Sequence, residues 1–498
     1  MQLQFEKQGI SCLQTLKREL QTQEQTQEVR ISDGMPDLGS IIGAWGQVIL
    51  RGKEWQMDAM RVTGGTMVWI QYLPEEGGDP QIVESWIPFQ MTWNFPKAKQ
   101  DGTMMMQPIL RSVDTRILSS RKMMLRTNVS VLGWAMEKQE QELCLPGEYP
   151  DDIQLLRERY PMELPVEAGE KAFSLEEYLS LPPNVPPMEK AVYYSLNPEI
   201  TEEKLMGDKI VFRGNALFHL CYCGEDGGRY TCDFDLPFTQ YSELDREYGE
   251  DIGILLWPCV TSLELENGED GLHLKAGLVC QYRISQRTVL EIVADAFSSG
   301  RSVTPIMGEL ALPGILEEKQ LILHAQQNSP VDGMRLTDIQ FMPQPVRVSG
   351  SAGETSLEIP GTFLMQYYDM EGNLHSATQN WEQTFKLPAG ENAMVEATLW
   401  PVGKTQGNLM SGSAALAADL KLITETGCHG GIPMVTGLEM GELQQPDPNR
   451  PSLILRRSGG QSLWELAKAH GSTVDAIRGA NRLEEEPDET QMLLIPVR

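Results

Sequence analysis

The sequence predicts a mainly β protein: three antiparallel β-sandwich or barrel-like repeat domains, followed by a small βααβ domain. Three observations support this fold class. Apolar and polar residues alternate over long stretches; in residues 274–284 the even positions are apolar, which indicates a strand with one buried face. A hairpin-like pattern recurs three times along the chain. The 47 residues after Pro451 carry two helix signals between two short apolar strands.

The recurring pattern starts at a glycine, runs through a strand to a tyrosine, turns at a glycine-containing segment and ends at a phenylalanine. Its copies start at Gly64, Gly214 and Gly361. Phe89 precedes Phe238 by 149 residues, and Phe238 precedes Phe385 by 147. Two nearly equal intervals are difficult to obtain by chance, so we expect three related copies. Their signature residues are Trp86, Pro88, Phe89, Pro237, Phe238 and Phe385.

These copies predict five segments: residues 1–160, 188–325 and 326–443 as β-rich repeat domains, 444–451 as a proline-rich linker, and 452–498 as the βααβ domain. Residues 181–187 (LPPNVPP) form another linker ahead of the second repeat, because proline at that density removes backbone donors from a sheet. Within the repeats, helices are predicted only for residues 11–20 and 153–160.

The charge of the chain excludes several classes of partner. The chain has 41 Lys and Arg residues and 70 Asp and Glu residues, which gives a net charge of −29. Such an acidic surface repels phosphate backbones and anionic lipids, so neither nucleic acid nor an anionic membrane is expected as a partner. No apolar run is long enough to span a bilayer, and the N-terminal residues lack a signal-peptide pattern. The eight cysteines are scattered, which predicts a cytosolic protein with reduced, mostly buried thiols.

One group of residues raises the question of a metal site. His219, Cys221 and Cys223 alternate along one predicted strand and so share a face, and Cys232 lies on the next strand. Folding this hairpin pairs Cys232 with Leu220, which places Cys232 on the opposite face. The spacing is also poor for a tetrahedral zinc site, so we expect buried thiols and no metal.

Other catalytic patterns are missing or incomplete. Residues 402–405 (VGKT) resemble the end of a phosphate-binding loop, but Thr398 stands where the upstream glycine is needed. Neither a zinc-protease motif nor a nucleophile-elbow motif occurs. Cys428 and His429 are sequence neighbours, unlike the separated pair of a Cys–His hydrolase. The sequence therefore predicts a protein that is not an enzyme, with no catalytic residue and no cofactor.

The C-terminal segment carries clear helix signals. Ser462 and Glu465 have the spacing of a capping box, and Leu463, Leu466 and Ala467 form an apolar stripe behind it. A glycine at position 471 ends this helix. Ser472 or Thr473 then caps a second helix that runs towards position 481, and residues 492–496 form a closing strand.

This layout resembles a LysM domain. The matching residues are Gly460-Gln461-Ser462-Leu463-Trp464, Ala467-Lys468, Asn481 and Ile495-Pro496. The resemblance implies a groove for N-acetylglucosamine polymers, framed by the loops at 460–462 and 488–491. Its candidate groove residues are Gly460, Gln461, Ser462, Leu463, Trp464, Asn481 and Gln491. Both loops depart from the family pattern, since Gln461 replaces an Asp and residues 488–491 replace a Pro-Gly-Gln turn. Core packing is the alternative role for Leu463, Trp464 and Ile477.

The whole chain resembles the clostridial spore-coat morphogenetic proteins of the SipL type, which carry β-rich repeats and a C-terminal LysM. The segments that match are residues 31–37 (ISDGMPD), 86–89 (WIPF), 236–238 (LPF) and 295–298 (DAFS). The resemblance implies a scaffold in the mother-cell cytoplasm that anchors the coat basement layer to the forespore surface. Its implied partners are a SpoIVA-like coat ATPase, contacted through the LysM region, and other coat proteins.

Two other functions stay open at this point. The LysM-like module is compatible with a peptidoglycan-binding cell-wall protein, and unsecreted LysM modules also occur in phage-tail-like assembly proteins. A partner surface on the first repeat is a further expectation, because five of the ten tryptophans lie between Trp45 and Trp93. Of these, Trp93 and the nearby Phe95 are expected at the surface.

Overall fold

The computed structural model describes residues 2–268, 271–312, 315–351, 354–388, 393–410, 412–428, 431–444 and 451–497. Strands account for 75% of the structure and helices for 3%, which confirms the mainly β class. Within the described residues the chain forms 24 strands and two helices. All strand pairs are antiparallel.

The strands follow one another with short connections. The first are β1 (Gln2–Gln4), β2 (Glu6–Arg30), β3 (Leu38–Gln56), β4 (Ala59–Pro74), β5 (Gln81–Asn94), β6 (Thr103–Ser119) and β7 (Lys122–Leu145). The next are β8 (Ile153–Leu179), β9 (Met188–Met206), β10 (Lys209–Gly224), β11 (Arg229–Glu243), β12 (Ile252–Gly268) and β13 (Gly271–Ser298).

The third series and the C-terminal module complete the chain. The strands are β14 (Val303–Leu310), β15 (Ile315–Pro330), β16 (Arg335–Pro343), β17 (Arg347–Ser351), β18 (Glu354–Tyr368), β19 (Leu374–Pro388), β20 (Ala393–Met410), β21 (Ser413–Cys428) and β22 (Ile432–Met440). The module consists of β23 (Leu453–Arg457), α1 (Leu463–His470), α2 (Val474–Asn481) and β24 (Met492–Pro496).

A similar arrangement of two packed groups of strands occurs three times. In strands β2–β7, which we call the first unit, β3–β4–β5 form one sheet and β2–β7–β6 the other. The second unit, β8–β13, repeats this with β9–β10–β11 and β8–β13–β12. The third unit, β15–β21, has seven strands: β16 and β17 together line one edge of β18, and β19 lines the other. Its strands β15–β21–β20 continue β12–β13–β8 of the second unit as one six-stranded sheet, joined where Ile315 pairs with Glu163. Because β3 lies against β6 and β2 against β5, the two sheets enclose a barrel-like core.

Both helices predicted within the repeats are wrong. Residues 11–20 lie in β2, which pairs with β7 along its whole length, and residues 153–160 lie in β8, which pairs with β13. The Leu, Lys, Arg and Glu residues of these segments favour a helix locally. A ladder of more than twenty residues with a neighbouring strand overrides that weak preference.

The observed units also shift the predicted domain bounds. A boundary at residue 160 cuts β8, whose pairing with β13 assigns it to the second unit, so that unit begins at Ile153 and not at residue 188. Likewise, a boundary between 325 and 326 cuts β15, the first strand of the third unit. The proline-rich residues 181–187 lie outside the strands, as predicted, but they connect β8 to β9 within the second unit. Of the predicted linker 444–451, residues 445–450 lie outside the described part of the chain.

A small additional sheet joins the N-terminal strand to two strands that flank the third unit in sequence. It has the order β1–β22–β14, and it packs against β7 and β13. Met434, Val435 and Leu438 of β22 are buried in a core that is continuous with that of the second unit. In the described part of the chain, the structure has no helix that combines the length and apolar character needed to cross a membrane.

Candidate functional site

The C-terminal module has the predicted strand–helix–helix–strand order. The Ser462 side chain accepts a hydrogen bond from the Glu465 amide at 3.2 Å, and the Glu465 carboxylate accepts one from the Ser462 amide at 2.9 Å. This reciprocal pair is the capping box read from the sequence. Gly471 ends α1 with φ 62°, and Thr473, one of the two predicted caps, begins α2. Local side-chain chemistry therefore fixes the helix starts of the module.

The loop before α1 and the loop before β24, which the LysM resemblance implies as the frame of a groove, are bonded to each other. The Ser458 amide donates to the Gln491 carbonyl at 2.9 Å, and the Gly459 amide donates to the Glu489 carbonyl at 3.2 Å. The Ser458 hydroxyl also contacts the Asp488 carbonyl. These bonds hold the loop before α1 against the loop before β24.

The candidate groove residues have mainly structural contacts. Leu463 is fully buried in the module core with Leu466, Ile477, Leu493 and Ile495, so it has no surface to offer a ligand. The Asn481 side chain donates to the Ile477 and Leu494 carbonyls and accepts from the Leu494 amide at 2.7 Å, which joins α2 to β24.

The remaining candidates lie in the loops and at the start of α1. Gly460 has φ 80°, a left-handed conformation that favours glycine. Gln461 accepts a hydrogen bond from Arg456 at 3.1 Å, and Ser462 is the helix cap described above. The Gln491 backbone amide donates to the Asp488 carbonyl at 3.2 Å.

Trp464 contacts the second unit and not the module groove. Its indole N–H donates to Asp295 Oδ2 at 2.9 Å, and its ring meets the Phe297 ring edge-on at 4.7 Å. One helical turn later, Lys468 Nζ lies 2.9 and 2.7 Å from the two oxygens of Asp295. Although burial alone raises the pKa of Asp295, the bonds from Lys468 and Trp464 lower it. The segment 295–298, noted in the sequence as a motif, therefore includes the docking site for α1.

A β-bulge positions this docking site. The pairing of β13 with β8 shifts register between Val293 and Asp295. The extra residue re-phases the alternation of side chains near the end of β13. Phe297 is buried and belongs to the hydrophobic core of the C-terminal module, so the module and the second unit share a core residue.

Replacing Asp295 with alanine is expected to release the module from the second unit. The change removes the acceptor for both Trp464 and Lys468, a loss of about 1.5–3 kcal/mol for charge-assisted hydrogen bonds, so the undocked population rises roughly 10- to 150-fold. Hydrogen exchange should increase in α1 and at residues 293–298, and small-angle scattering should give a larger radius of gyration. Asp475→Ala, at an exposed position on α2, is the matched control. Unchanged exchange in Asp295→Ala would contradict this docking role.

The repeat signature reflects the packing of a ring over a glycine. In the first unit Gly64 pairs with Phe89, and in the second Gly214 pairs with Phe238. A Cβ atom at either glycine would overlap the phenylalanine ring and a backbone carbonyl. These glycines are therefore required by a close approach and not by their backbone conformation.

The prediction that Phe385 is the third ring of the signature is wrong. Gly361 pairs with Trp381, whereas Phe385 pairs with Leu357, four residues further along the ladder. The ring over Gly361 belongs to Phe341 of β16, which approaches from the other neighbouring strand. The near-equal spacing of Phe89, Phe238 and Phe385 thus overstated the regularity, although the three glycines do occupy equivalent strands.

Gly214→Ala tests this packing directly. The new methyl group would overlap the Phe238 ring and the Glu199 carbonyl, neither of which can move freely in a paired strand. We expect a loss of about 1–3 kcal/mol in the free energy of unfolding, as is usual for an overpacked core. Gly249→Ala, where a Cβ atom meets nothing within 4 Å, should leave the urea midpoint unchanged. Equal midpoints for the two variants would contradict the packing argument.

His219 is part of a partly buried polar cluster between the units, in which Asp338 is buried and Asp233 is exposed. Its Nδ1 lies 2.6 Å from Asp233 Oδ1, and its Nε2 lies 3.1 Å from Asp338 Oδ1 of the third unit. Tyr193 also donates to Asp338, and its ring stacks at 4.9 Å on Trp45 of the first unit. Burial alone lowers the pKa of His219, but the two carboxylates raise it to about 10. His219 is therefore an imidazolium at neutral pH and joins the second unit to the third.

Of the cysteines near this cluster, Cys221 and Cys232 are buried thiols and Cys223 is half-buried. Cys232 pairs with Leu220, as the hairpin predicted, and so faces away from His219 and Cys221. Burial raises the pKa of Cys221 to about 12, even with Arg229 beside it. Cysteines with described side chains, a set that leaves out Cys428, are free. No group of three or more metal-ligating side chains with suitable geometry occurs among the described residues.

A second polar cluster at the junction was not predicted. Glu425 of the third unit is bound by Arg18 of the first and Arg283 of the second, and all three side chains are buried. Both guanidinium groups lie over the Trp134 ring, at 4.1 and 4.9 Å from its centroid. Burial alone raises the pKa of Glu425, but the two arginines lower it to about 2.

Three tryptophans continue this cluster, one from each unit. Trp257 lies 6.0 Å from Trp134 and 5.7 Å from Trp400, measured between ring centroids. A weak signal in the sequence could have indicated this junction, since Trp257 and Trp400 are each followed by proline in equivalent strands. The charged partners are far apart in sequence and gave no signal.

The phosphate-loop-like residues 402–405 lie beside these clusters in a cleft. The pairing of β20 with β21 is interrupted between Val402 and Gln406, so Gly403, Lys404 and Thr405 leave the ladder. They line a cleft of about 400 Å³ between the three units, in which Lys404 Nζ lies 3.8 Å from Asp233. Gly403 has φ 62°, and its amide donates to Glu199 at 3.2 Å. The Glu199 carboxylate thus already accepts the hydrogen bond from the backbone N–H that a bound phosphate would need.

The expectation that Trp93 and Phe95 form part of an exposed surface on the first repeat is wrong. Trp93 and Phe95 are both buried, and the Trp93 indole donates to the Glu19 carbonyl at 3.0 Å. Phe95 packs against Trp55 with ring centroids 5.2 Å apart. Their position near a strand end suggested exposure, but the neighbouring β2 covers them.

Fold and contacts together define a mainly β protein of three similar β units, of six, six and seven strands, with a docked βααβ module. No protein-family model matches the sequence, and no similar protein was found among curated proteins or solved structures.

Proposed function

We propose that the chain is a non-catalytic scaffold of spore-coat assembly, of the kind its sequence resembles. It acts in the mother-cell cytoplasm and anchors the coat basement layer to the forespore surface through a SpoIVA-like ATPase. The observation that carries this proposal is the way in which the three units and the C-terminal module are joined. Ion clusters join the three units, and the LysM-like module is held on the second unit by Trp464 and Lys468. Three joined units that position one small module suit a protein that brings partners together.

The state of the LysM-like groove supports a protein partner over a glycan. Its two loops are hydrogen-bonded to each other, Leu463 is buried, and Asn481 is used within the module. The net charge of −29 separately disfavours docking on two other kinds of partner, anionic lipid and nucleic acid.

Localisation tests the proposal. A fluorescently tagged full-length chain should form a ring around the forespore in sporulating cells and should be absent from vegetative walls. A signal in vegetative walls would instead indicate the peptidoglycan-binding alternative, and recovery in tail-like particles would indicate the phage-type alternative.

Binding provides the second test. The full-length chain should retain a purified SpoIVA-like ATPase, and a chain without residues 452–498 should not. Equal retention by both chains would remove the LysM-like module from this contact.

A further inference from the structure

The outer face of the module sheet is apolar and exposed. Leu453 and Leu455 of β23 are 50% and 63% exposed, and Met492 and Leu494 of β24 are 53% and 37% exposed. Leu455 pairs with Leu494 in the ladder, so these side chains share one face. We call these four residues the outer face.

Folding of the module does not need this face to be apolar. The inward residues Leu493 and Ile495 alternate with the outer ones and are buried with α1 and α2. Polar side chains at the outer positions would satisfy the same strand pairing, as they do on most half-exposed sheets. A contiguous exposed apolar patch that the fold does not require is typical of a protein-binding surface.

We propose that the outer face binds one amphipathic α-helix of a different protein, with an acidic residue beside the apolar stripe of that helix. This inference rests on the proposed scaffold function and assigns its partner contact to a particular face. The acidic residue is expected next to Arg457, which lies on the same face opposite Met492 and is exposed.

The size of the face decides against a second copy of this chain. Two strands of five residues are about 17 Å long and about 4.8 Å apart, which offers a few hundred Å² at most. A stable dimer needs roughly 800 Å² from each partner. Two chains of net charge −29 would also repel each other. A helix about 10 Å wide covers the same face with about three turns.

The docking of α1 leaves this face accessible. Trp464 and Lys468 bind Asp295 through α1, which lies on the inner side of the module sheet. The outer face is on the opposite side of the sheet. Asp295 and Phe297 thus hold the module with its apolar face directed away from α1 and its docking site.

Site-specific photo-crosslinking tests the proposal in the full chain. The photoreactive residue p-benzoylphenylalanine replaces Leu455 in one variant and Leu443, an equally exposed leucine outside the face, in a matched control. Both variants are expressed in sporulating cells, and crosslinked peptides are identified by mass spectrometry. We expect at least tenfold more adduct from position 455, mapped to a helical segment with an apolar stripe and an acidic residue. Adding Arg457→Glu should reduce this adduct at least threefold.

Three results would overturn the proposal: adducts only between two copies of this chain, adducts only to non-helical segments, or no adduct above the Leu443 level. The double variant Leu455→Gln/Leu494→Gln, checked for an unchanged circular dichroism spectrum, should lose co-purification of the crosslinked partner. The forespore localisation test separates the two proposals. An adduct to a helix without a forespore ring supports helix binding by the outer face and rejects the coat function. A forespore ring without an adduct supports the coat function and rejects helix binding by the outer face.

Discussion

Replacing Glu425 with glutamine is expected to lower the free energy of unfolding by about 3–5 kcal/mol, the usual cost of removing one partner from a buried ion pair. Glu425 is the shared anion of Arg18 and Arg283, which come from the first and second units. Its loss leaves two buried guanidinium groups with less compensation. The free energy of unfolding is measured by urea denaturation followed by circular dichroism.

The contribution of Glu425 depends on pH in a defined direction. Its pKa is lowered from an ordinary value of 4.5 to about 2, so its stabilising contribution is complete above pH 4.5. That contribution is lost as the pH falls from 4.5 through about 2. The stability difference between wild type and Glu425→Gln should therefore shrink over this window.

The two neighbouring carboxyl groups, Glu318 and Glu396, change their contribution to stability with pH in the opposite direction to Glu425. The contribution of Glu425 is therefore taken from the difference between wild type and Glu425→Gln. Burial raises the pKa of Glu318 and of Glu396, although Arg283 and Arg18 act against it. Acid therefore relieves a cost at these two groups while it removes the benefit of Glu425. Glu142→Gln, in an exposed pair with Lys7, is the control and should not change the midpoint. A Glu425→Gln variant as stable as this control would contradict the argument.

Replacing His219 with glutamine is the second change with a large expected effect, about 1.5–3 kcal/mol at pH 7, the usual range for hydrogen bonds between charged groups. The imidazolium lies between Asp233 and Asp338, and its removal leaves two carboxylates near each other without a cation between them. Because Asp338 belongs to the third unit, the loss should weaken the contact between the second and third units. Hydrogen exchange in β10 and β16 should increase together.

The pH dependence of His219 has the opposite sign to that of Glu425. Its pKa is raised from 6.5 to about 10, so its stabilising contribution is complete below pH 6.5 and is lost as the pH rises through about 10. The wild type should therefore lose stability in alkali relative to His219→Gln. His324→Gln, in an exposed pair with Asp419, should follow the wild type at every pH. Parallel curves for wild type and His219→Gln would contradict the assigned ion cluster.

Prediction succeeded where a short stretch of chain determines the structure. The capping box at Ser462 and Glu465, the end of α1 at Gly471 and the pairing of Cys232 with Leu220 all follow from nearby residues. Prediction failed in the long strands β2 and β8. Their local composition favours helices, and only pairing with strands more than one hundred residues away makes them extended.

The candidate site divides in the same way. The sequence predicted the strand–helix–helix–strand order of the module, but it could not show that Trp464 contacts Asp295, 169 residues earlier in the chain. It noted segment 295–298 as a motif without giving it a role. A docking contact depends on the relative placement of two folded parts, and no local pattern encodes that placement.

By itself the sequence determined the mainly β class, the recurrence of a glycine-centred hairpin and the βααβ order of the module, because alternation, close packing at glycine and helix capping act over a few residues. The tertiary structure alone decided where each unit begins, which ring covers Gly361, and how Arg18, Arg283 and Glu425 meet at the junction of the units. Those features depend on strand register and on charges brought together from distant positions. Their energies exist only after the chain has folded and water has been excluded.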